Sequence, residues 1–333
     1  MKIDKSNMRQ AILDFPKQFR IGLRAAGNIK VIGNFDGVIV CGMGGSALPA
    51  GILNMWIEAK RSGISLNIHS DYGLPHFIKD TNLVICISYS GNTEETISAF
   101  EEARRRNLKI TAISSGGKLA ELCKLHKIPL AVIPSGLQPR MALGFQFAAL
   151  MKILANCGLI NADLKDIHNL ENSLNPGDSE DQGKKLAKNL KNKIPIIYAS
   201  SRLKYLDLAR IWKIKFNENS KIPAFCNYFP ELNHNELVGF ENNGYPASIA
   251  TSIIILRDNL DLPRIKERME LTAEILKPTG VQTQFVDIKG EDILCKIFDN
   301  ILLSDWTSYY LALEYKIDPT PVKLNDEFKR RLA

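Results

Sequence analysis

Short, strongly apolar runs alternate with longer stretches of helical periodicity along most of this chain, a pattern that predicts parallel strands joined by helical crossovers. In the first half, strands are expected at 38–41, 65–69, 83–87, 109–114 and 130–133. Helices are expected at 47–60, from Glu94 through Arg106, at 118–125 and at 141–156. The runs GVIV and LVICI carry no polar interruption, as strands covered on both faces require. A helix at 161–170, turn formers over 171–179 and a polar helix at 180–191 lead into a second series. That series reads as strand 194–198, helix 203–219, strand 224–228, a helix entered near Glu236, strand 250–257, helix 263–276, strand 283–287 and a long helix at 292–315. The expected fold class is α/β, with two domains that each hold a mostly parallel sheet flanked by helices. Their expected bounds are 1–157 and 193–333, with a connecting segment at 158–192. Ser200 and Ser201 follow the first strand of the second series much as hydroxyl-bearing turns follow strands in the first half, which suggests a diverged internal duplication.

Bulk composition narrows the function classes. A chain of 333 residues is long enough to bury two cores. Its net charge of +7 suits an anionic substrate and equally suits an ordinary solvated surface. Lysine and arginine are spread through the chain and form no aromatic-interleaved patch, which argues against a nucleic-acid partner. Neither an apolar targeting segment at the N-terminus nor a run long enough to span a bilayer is expected, so no membrane partner is foreseen. The cysteines Cys41, Cys86, Cys123, Cys157, Cys226 and Cys295 mostly stand in apolar contexts without metal-ligand spacing. Reduced, buried thiols in a cytoplasmic protein without metal or other cofactor are the simplest expectation.

Two strand-end turns carry the chemistry. CGMGGSALP at 41–49 places Gly42, Gly44, Gly45 and Ser46 between an apolar strand and a helix. SYSGNTEET at 88–96 repeats the plan with Ser88, Ser90, Gly91, Asn92 and Thr93. Glycines permit tight turns, while hydroxyls and helix-start N–H groups can surround a phosphate without a metal. Glycine-rich turns of this kind are also common where nothing binds, and the pairing with so many hydroxyls is what favours a ligand. Neither turn has dinucleotide spacing, and no lysine precedes Ser46 as a P-loop requires, so NAD and ATP are disfavoured. SSGG at 114–117 reads as a structural turn near the same crevice. Arg140, in the loop PSGLQPR, is placed either to clamp an anion or developing enolate or to form a surface ion pair.

The second half supplies proton-transfer groups. Glu218 stands near a helix end beside buried-type sequence, and His234 lies in the polar segment PELNHNE. A carboxylate that moves a carbon-bound proton and an imidazole that moves an oxygen-bound proton suffice for aldose–ketose isomerisation. Glu231 and Glu236 compete for the base role, and a turn or cap role is open for His234.

In this order, GMGGSA, SYSGNTEET, SGG at 115–117, QPR at 138–140, NEN at 217–219, PELNHNE at 230–236 and DPTPV at 318–322 resemble the bifunctional phosphoglucose/phosphomannose isomerases of the sugar isomerase (SIS) domain superfamily. The resemblance covers nearly the whole chain. It implies a cytoplasmic homodimer of tandem SIS domains acting on phosphorylated hexoses, interconverting glucose 6-phosphate or mannose 6-phosphate with fructose 6-phosphate without a metal. By the same resemblance Ser46, Ser88, Ser90 and Thr93 hold phosphate, with Gly44 and Gly45 shaping the backbone. Glu218 shuttles the proton between C1 and C2 through a cis-enediol, and Arg140 stabilises charge on the enediol oxygens. His234 assists ring opening in the partner subunit's site, Lys329 assists transfer at the sugar oxygens, and a threonine such as Thr320 bears on dual specificity. The alternatives are a noncatalytic sugar-phosphate-binding regulator and an isomerase of another phosphorylated sugar.

Overall fold

The computed structural model describes residues 3–160, 164–241 and 250–332. The chain divides into two compact units, one of Asp14–Asn175 with Asp292–Cys295, the other of Met1–Leu13, Pro176–Glu291 and Lys296–Ala333. Helix α1 (Met8–Leu13) therefore belongs with the C-terminal half. Its attachment is polar as well as apolar: the Arg9 guanidinium meets Glu180 at 2.7 Å, and Asp4 caps α1 through the Met8 N–H at 2.7 Å while accepting from the Tyr309 hydroxyl at 3.3 Å.

The N-terminal unit runs α2 (Lys17–Ala25), β1 (Gly37–Cys41), α3 (Leu48–Lys60), β2 (Ser65–His69), β3 (Asn82–Ser88), α4 (Glu94–Arg105), β4 (Lys109–Ser114), α5 (Gly117–His126), β5 (Leu130–Val132), α6 (Leu143–Asn156) and α7 (Lys165–Ser173). Its five strands form one sheet in the order β2-β1-β3-β4-β5, every pairing parallel. The central strands β1 and β3 are buried nearly throughout, as their apolar runs require, whereas edge strand β2 is nowhere fully buried and exposes Ser65 and Ile68. Ile39, Val84, Cys86, Phe100, Leu119 and Cys123 form a core on one face. Helix α6 is buried along almost its whole length, matching its near absence of polar residues.

The C-terminal unit adds α8 (Glu180–Leu190), β6 (Ile194–Ser200), α9 (Leu206–Lys215), β7 (Phe225–Phe229), β8 (Thr251–Asp258), α10 (Pro263–Leu276), β9 (Gln282–Ile288), α11 (Ile293–Glu314) and α12 (Lys323–Leu332). Its sheet is again all parallel, in the order β7-β6-β8-β9, which repeats the winding of the first four strands of the other sheet. Tyr198, Phe229, Ile253, Ile255, Met269 and Leu276 fill its core.

Two local expectations change. The continuous helix expected over 203–219 is a 3₁₀ turn at Arg202–Lys204, then α9, then a π turn at Phe216–Ser220. Asn217, Asn219 and Ser220 bond outside the helical ladder, which ends at Lys221 in the left-handed region. Near Glu236 the chain forms only a 3₁₀ turn, Glu236–Phe240, beyond which 242–249 lie outside the described residues. Residues 161–163, at the start of the helix expected over 161–170, lie outside them too. Among the described residues no helix is long and apolar enough to cross a membrane.

Candidate active site

In the N-terminal sheet the chain winds outward in opposite directions from β1 and β3, which lie side by side with Cys41 opposite Cys86. Turns that leave two such strands diverge and open a crevice at their carboxyl ends. Both hydroxyl-rich turns lie there. Ser46, only 4% exposed, closes the 3₁₀ turn Gly44–Ser46, and its Oγ accepts the Tyr89 N–H at 3.0 Å, stitching the first turn to the second. Ser88 Oγ accepts the Gly91 N–H at 3.1 Å and lies 2.8 Å from the Thr93 hydroxyl. Ser90 is exposed, with its Oγ accepting the Asn92 N–H at 3.3 Å. Thr93 begins α4 in extended backbone without capping the first-turn amides. Those N–H groups have no carbonyl in their own helix and are available to an anion.

The third turn forms the wall. Gly91 has φ +73°, and a Cβ there would sit 1.7 Å from the Gly116 carbonyl oxygen, so a side chain would force the turns apart. Asn92 Oδ1 accepts the Lys118 N–H at 3.0 Å. Tyr89 is the hub that sequence reasoning missed. Its hydroxyl donates to the Pro134 carbonyl at 2.9 Å and accepts the Leu137 N–H at 3.0 Å, and the Ser115 hydroxyl donates to its carbonyl at 2.7 Å. Burial pushes the Tyr89 phenol up, opposed by the Leu137 amide, so it holds this wall as a neutral donor.

Arg140 is fully buried on the 3₁₀ turn Pro139–Met141, with Nη1 3.5 Å from the Gln138 side-chain oxygen. This burial contrasts with the surface ion pair open to it in the sequence. A Cβ on Gly45 would lie 2.7 Å from the Arg140 nitrogen, so the glycine lets the two turns meet. Behind the turn, Gln146 Nε2 donates to the Pro139 carbonyl at 3.1 Å. Gln18 Nε2 donates to the Met141 carbonyl at 2.7 Å, while its Oε1 accepts the Gly144 N–H at 3.0 Å. Nothing in the local sequence marks Gln18 for this task.

In the C-terminal unit, Glu218 lies half-buried on the π turn and lines a cleft of about 580 Å³ with Asn217, Lys221, Asp318 and the start of α12. Lys221 Nζ donates to the Glu218 carbonyl and, at 2.9 Å, to that of Pro319, tying the turn to the DPTPV segment. The rival carboxylates are differently employed. Glu236 accepts the Tyr198 hydroxyl at 2.6 Å and the Asn227 amide, and burial and then this carboxylate push the Tyr198 phenol up. Glu231 is exposed and accepts from Asn235 at 3.0 Å. His234 is exposed at the end of the 3₁₀ turn Glu231–His234. Lys329 is exposed on α12, outside the lining of the cleft, which Lys323, Leu324 and Asn325 of that helix supply. The structure thus gathers Gly44, Gly45, Ser46, Ser88, Ser90, Thr93 and Arg140 within one unit, and places Glu218, His234 and Lys329 separately in the other.

At the ends of β6 and β8 in the second sheet, polar side chains bond to one another beside a cavity of about 510 Å³ lined by Asp258, Lys289 and Lys296. Ser200 Oγ donates to Asp261 at 2.5 Å, the Asp258 N–H donates to the other Asp261 oxygen at 2.8 Å, and Tyr205 donates to Asp258 at 2.6 Å. Lys296 Nζ closes the cluster 2.8 Å from Asp258. Burial raises the Asp261 carboxyl and the Tyr205 phenol above their ordinary values. Among the described residues no three His, Cys, Asp or Glu side chains are grouped so as to hold a metal ion.

Comparison with known proteins follows this division. A SIS domain model matches residues 36–155, and the bacterial phospho-glucose isomerase C-terminal SIS domain model matches residues 179–332. A bifunctional phosphoglucose/phosphomannose isomerase of Caldicellulosiruptor bescii is 38% identical over 98% of this chain and 99% of its own length. One from Aquifex aeolicus is 35% identical over 90% of this chain and 91% of its own. Among solved structures, the C-terminal domain of glucosamine-fructose-6-phosphate aminotransferase from Francisella tularensis superposes with a TM-score of 0.70 at 14% identity, covering 95% of this chain and 97% of that one, a likeness of fold.

Proposed function

The chain belongs to the bifunctional phosphoglucose/phosphomannose isomerase family of the SIS superfamily, and from that membership we propose that it interconverts glucose 6-phosphate and mannose 6-phosphate with fructose 6-phosphate. At the coarser level it is a SIS-domain sugar-phosphate isomerase. The observation that carries the finer reading is the position of Glu218. Of the three carboxylates in contention it lines a cleft, whereas Tyr198 and Asn227 occupy Glu236 and Glu231 lies exposed.

In the proposed reaction the Glu218 carboxylate takes the C2 proton of the open-chain aldose and returns it to C1, passing through a cis-enediol. The charge that develops on the enediol oxygens is met by the Arg140 guanidinium, a permanently charged donor. Ser46, Ser88, Ser90, Thr93 and the amides that open α4 hold the phosphate, and Gly44 and Gly45 shape the adjoining backbone. Lys329 and His234 take the proton transfers at sugar oxygens and in ring opening, His234 on behalf of the partner subunit in a homodimer. No step in this scheme requires a metal.

The test is turnover of both aldose phosphates by purified, exhaustively chelated protein beside Glu218→Gln. Comparable turnover of the two, lost in the variant, is expected. A folded protein that binds phosphate but turns over neither sugar would instead favour the noncatalytic reading.

A further inference from the structure

Glu218 sits on a turn fastened on both flanks to one helix. Just before it, Lys215 at the end of α9 meets Asp305 of α11 at 2.6 Å, each side chain only 1% exposed. Just after it, Asn219 Nδ2 donates to Ser308 Oγ at 3.0 Å and the Ser220 hydroxyl donates to the Ser308 carbonyl at 2.7 Å. Asp305 and Ser308 are three residues apart on α11, hence on one face of it. Earlier in the same pair of helices, the Trp212 indole donates to Asn300 at 2.7 Å.

We propose that the buried Lys215–Asp305 pair is a positioning device that fixes the aim of the Glu218 carboxylate into its cleft. This deepens, and rests on, the reading of Glu218 as the proton shuttle. A π turn departs from the regular α-helical ladder, and here Asn219 and Ser220 bond outside it, to α11. A fully buried ion pair is a poor source of stability, because desolvating two charges offsets most of their attraction. What it supplies is geometry: a 2.6 Å contact between the last turn of α9 and α11 admits one placement of the helix end, and the Ser308 bonds fix the other side. Misplacement of a reacting group by about 1 Å costs on the order of a hundredfold in rate.

The experiment compares wild type with the apolar double variant Lys215→Met/Asp305→Leu, and with Asp305→Glu, which keeps the charges but shifts their separation. The expected result is a retained fold and thermal midpoint in at least Asp305→Glu, KM and inorganic phosphate affinity within about twofold, and kcat lowered about 10- to 100-fold. Amide hydrogen exchange over 216–221 should quicken in the same variants while the sheet amides stay protected. Unchanged kcat in a folded variant, or unchanged exchange in that turn, overturns the proposal. Glu218→Gln separates the two ideas. If that variant keeps wild-type turnover, the proton-shuttle reading fails, while the exchange measurement still decides whether the ion pair holds the turn.

Discussion

Two turns occupy the same station in the two sheets, and they have met the same electrostatic opportunity in opposite ways. After β3, the Gly91 N–H returns to the Ser88 carbonyl at 3.1 Å; after β8, the Asp261 N–H returns to that of Asp258, also at 3.1 Å. The backbone turn is therefore alike. In the first turn the two positions hold a hydroxyl and a glycine, leaving neutral donors beside the uncapped start of α4. In the second they hold two carboxylates, whose charge is met inside the fold by Lys296, Tyr205 and Ser200. A strand-end crevice attracts negative charge whether the anion comes from a ligand or from the chain itself. Once the chain supplies it, a phosphate would meet like charge in place of free donors. The winding is common to both sheets, while the polar groups of these two turns are spent differently: on one another in the second and, in the proposed function, on a phosphate in the first.

The strongest way to break this contrast is at Gly91. Gly91→Ala forces a Cβ against the Gly116 oxygen at positive φ, a backbone cost of about 1–3 kcal/mol before any clash is relieved. Affinity for sugar phosphates should fall by about a hundredfold or more, read by calorimetric titration, with a lowered thermal midpoint. Next comes the pair Ser88→Ala/Ser90→Ala. Hydrogen bonds to a charged group contribute about 1.5–3 kcal/mol each, so phosphorylated sugar should bind at least about 100-fold more weakly. Affinity for unphosphorylated hexose should hold, and equal losses for both would remove the phosphate assignment.

Ser200→Ala sharpens the comparison from the other side. It strips the buried Asp261 of a donor at 2.5 Å, which should lower unfolding free energy by about 1–3 kcal/mol in denaturant titration. Phosphate affinity should not move, and a loss like that of the Ser88/Ser90 pair would end the contrast. The smallest effect concerns pH. Burial raises the Asp261 carboxyl in the folded chain, so the native state holds this proton more tightly than the unfolded state does. Its contribution to stability is present below the unfolded value of about 3.9 and is lost as pH rises through the higher folded value. The stability of wild type relative to Asp261→Asn should therefore improve on acidification through that window, and a difference that is flat with pH would contradict it.

Features that depend on near neighbours along the chain were legible without the fold. Strands β1, β3 and β8 were legible because a strand buried on both faces must be an unbroken apolar run, and α6 because a buried helix is apolar all round. The glycine and hydroxyl content of the two N-terminal turns is equally local. Among the carboxylates the sequence favours Glu218 but leaves Glu231 and Glu236 in competition, because position along the chain does not show what each one bonds to. The fold brings Tyr198 onto Glu236 from 38 residues away, a partner the sequence does not show. It also decided that Ser200, which looks like its counterparts in the first half, spends its hydroxyl on Asp261, that Gln18 buttresses the Arg140 turn, and that α9 ends in a π turn held by α11. The physical reason is common to all of these. A polar side chain has a fixed number of hydrogen bonds to give, and whether it gives them to a ligand or to the fold depends on partners that are distant in sequence and adjacent only once the chain has folded.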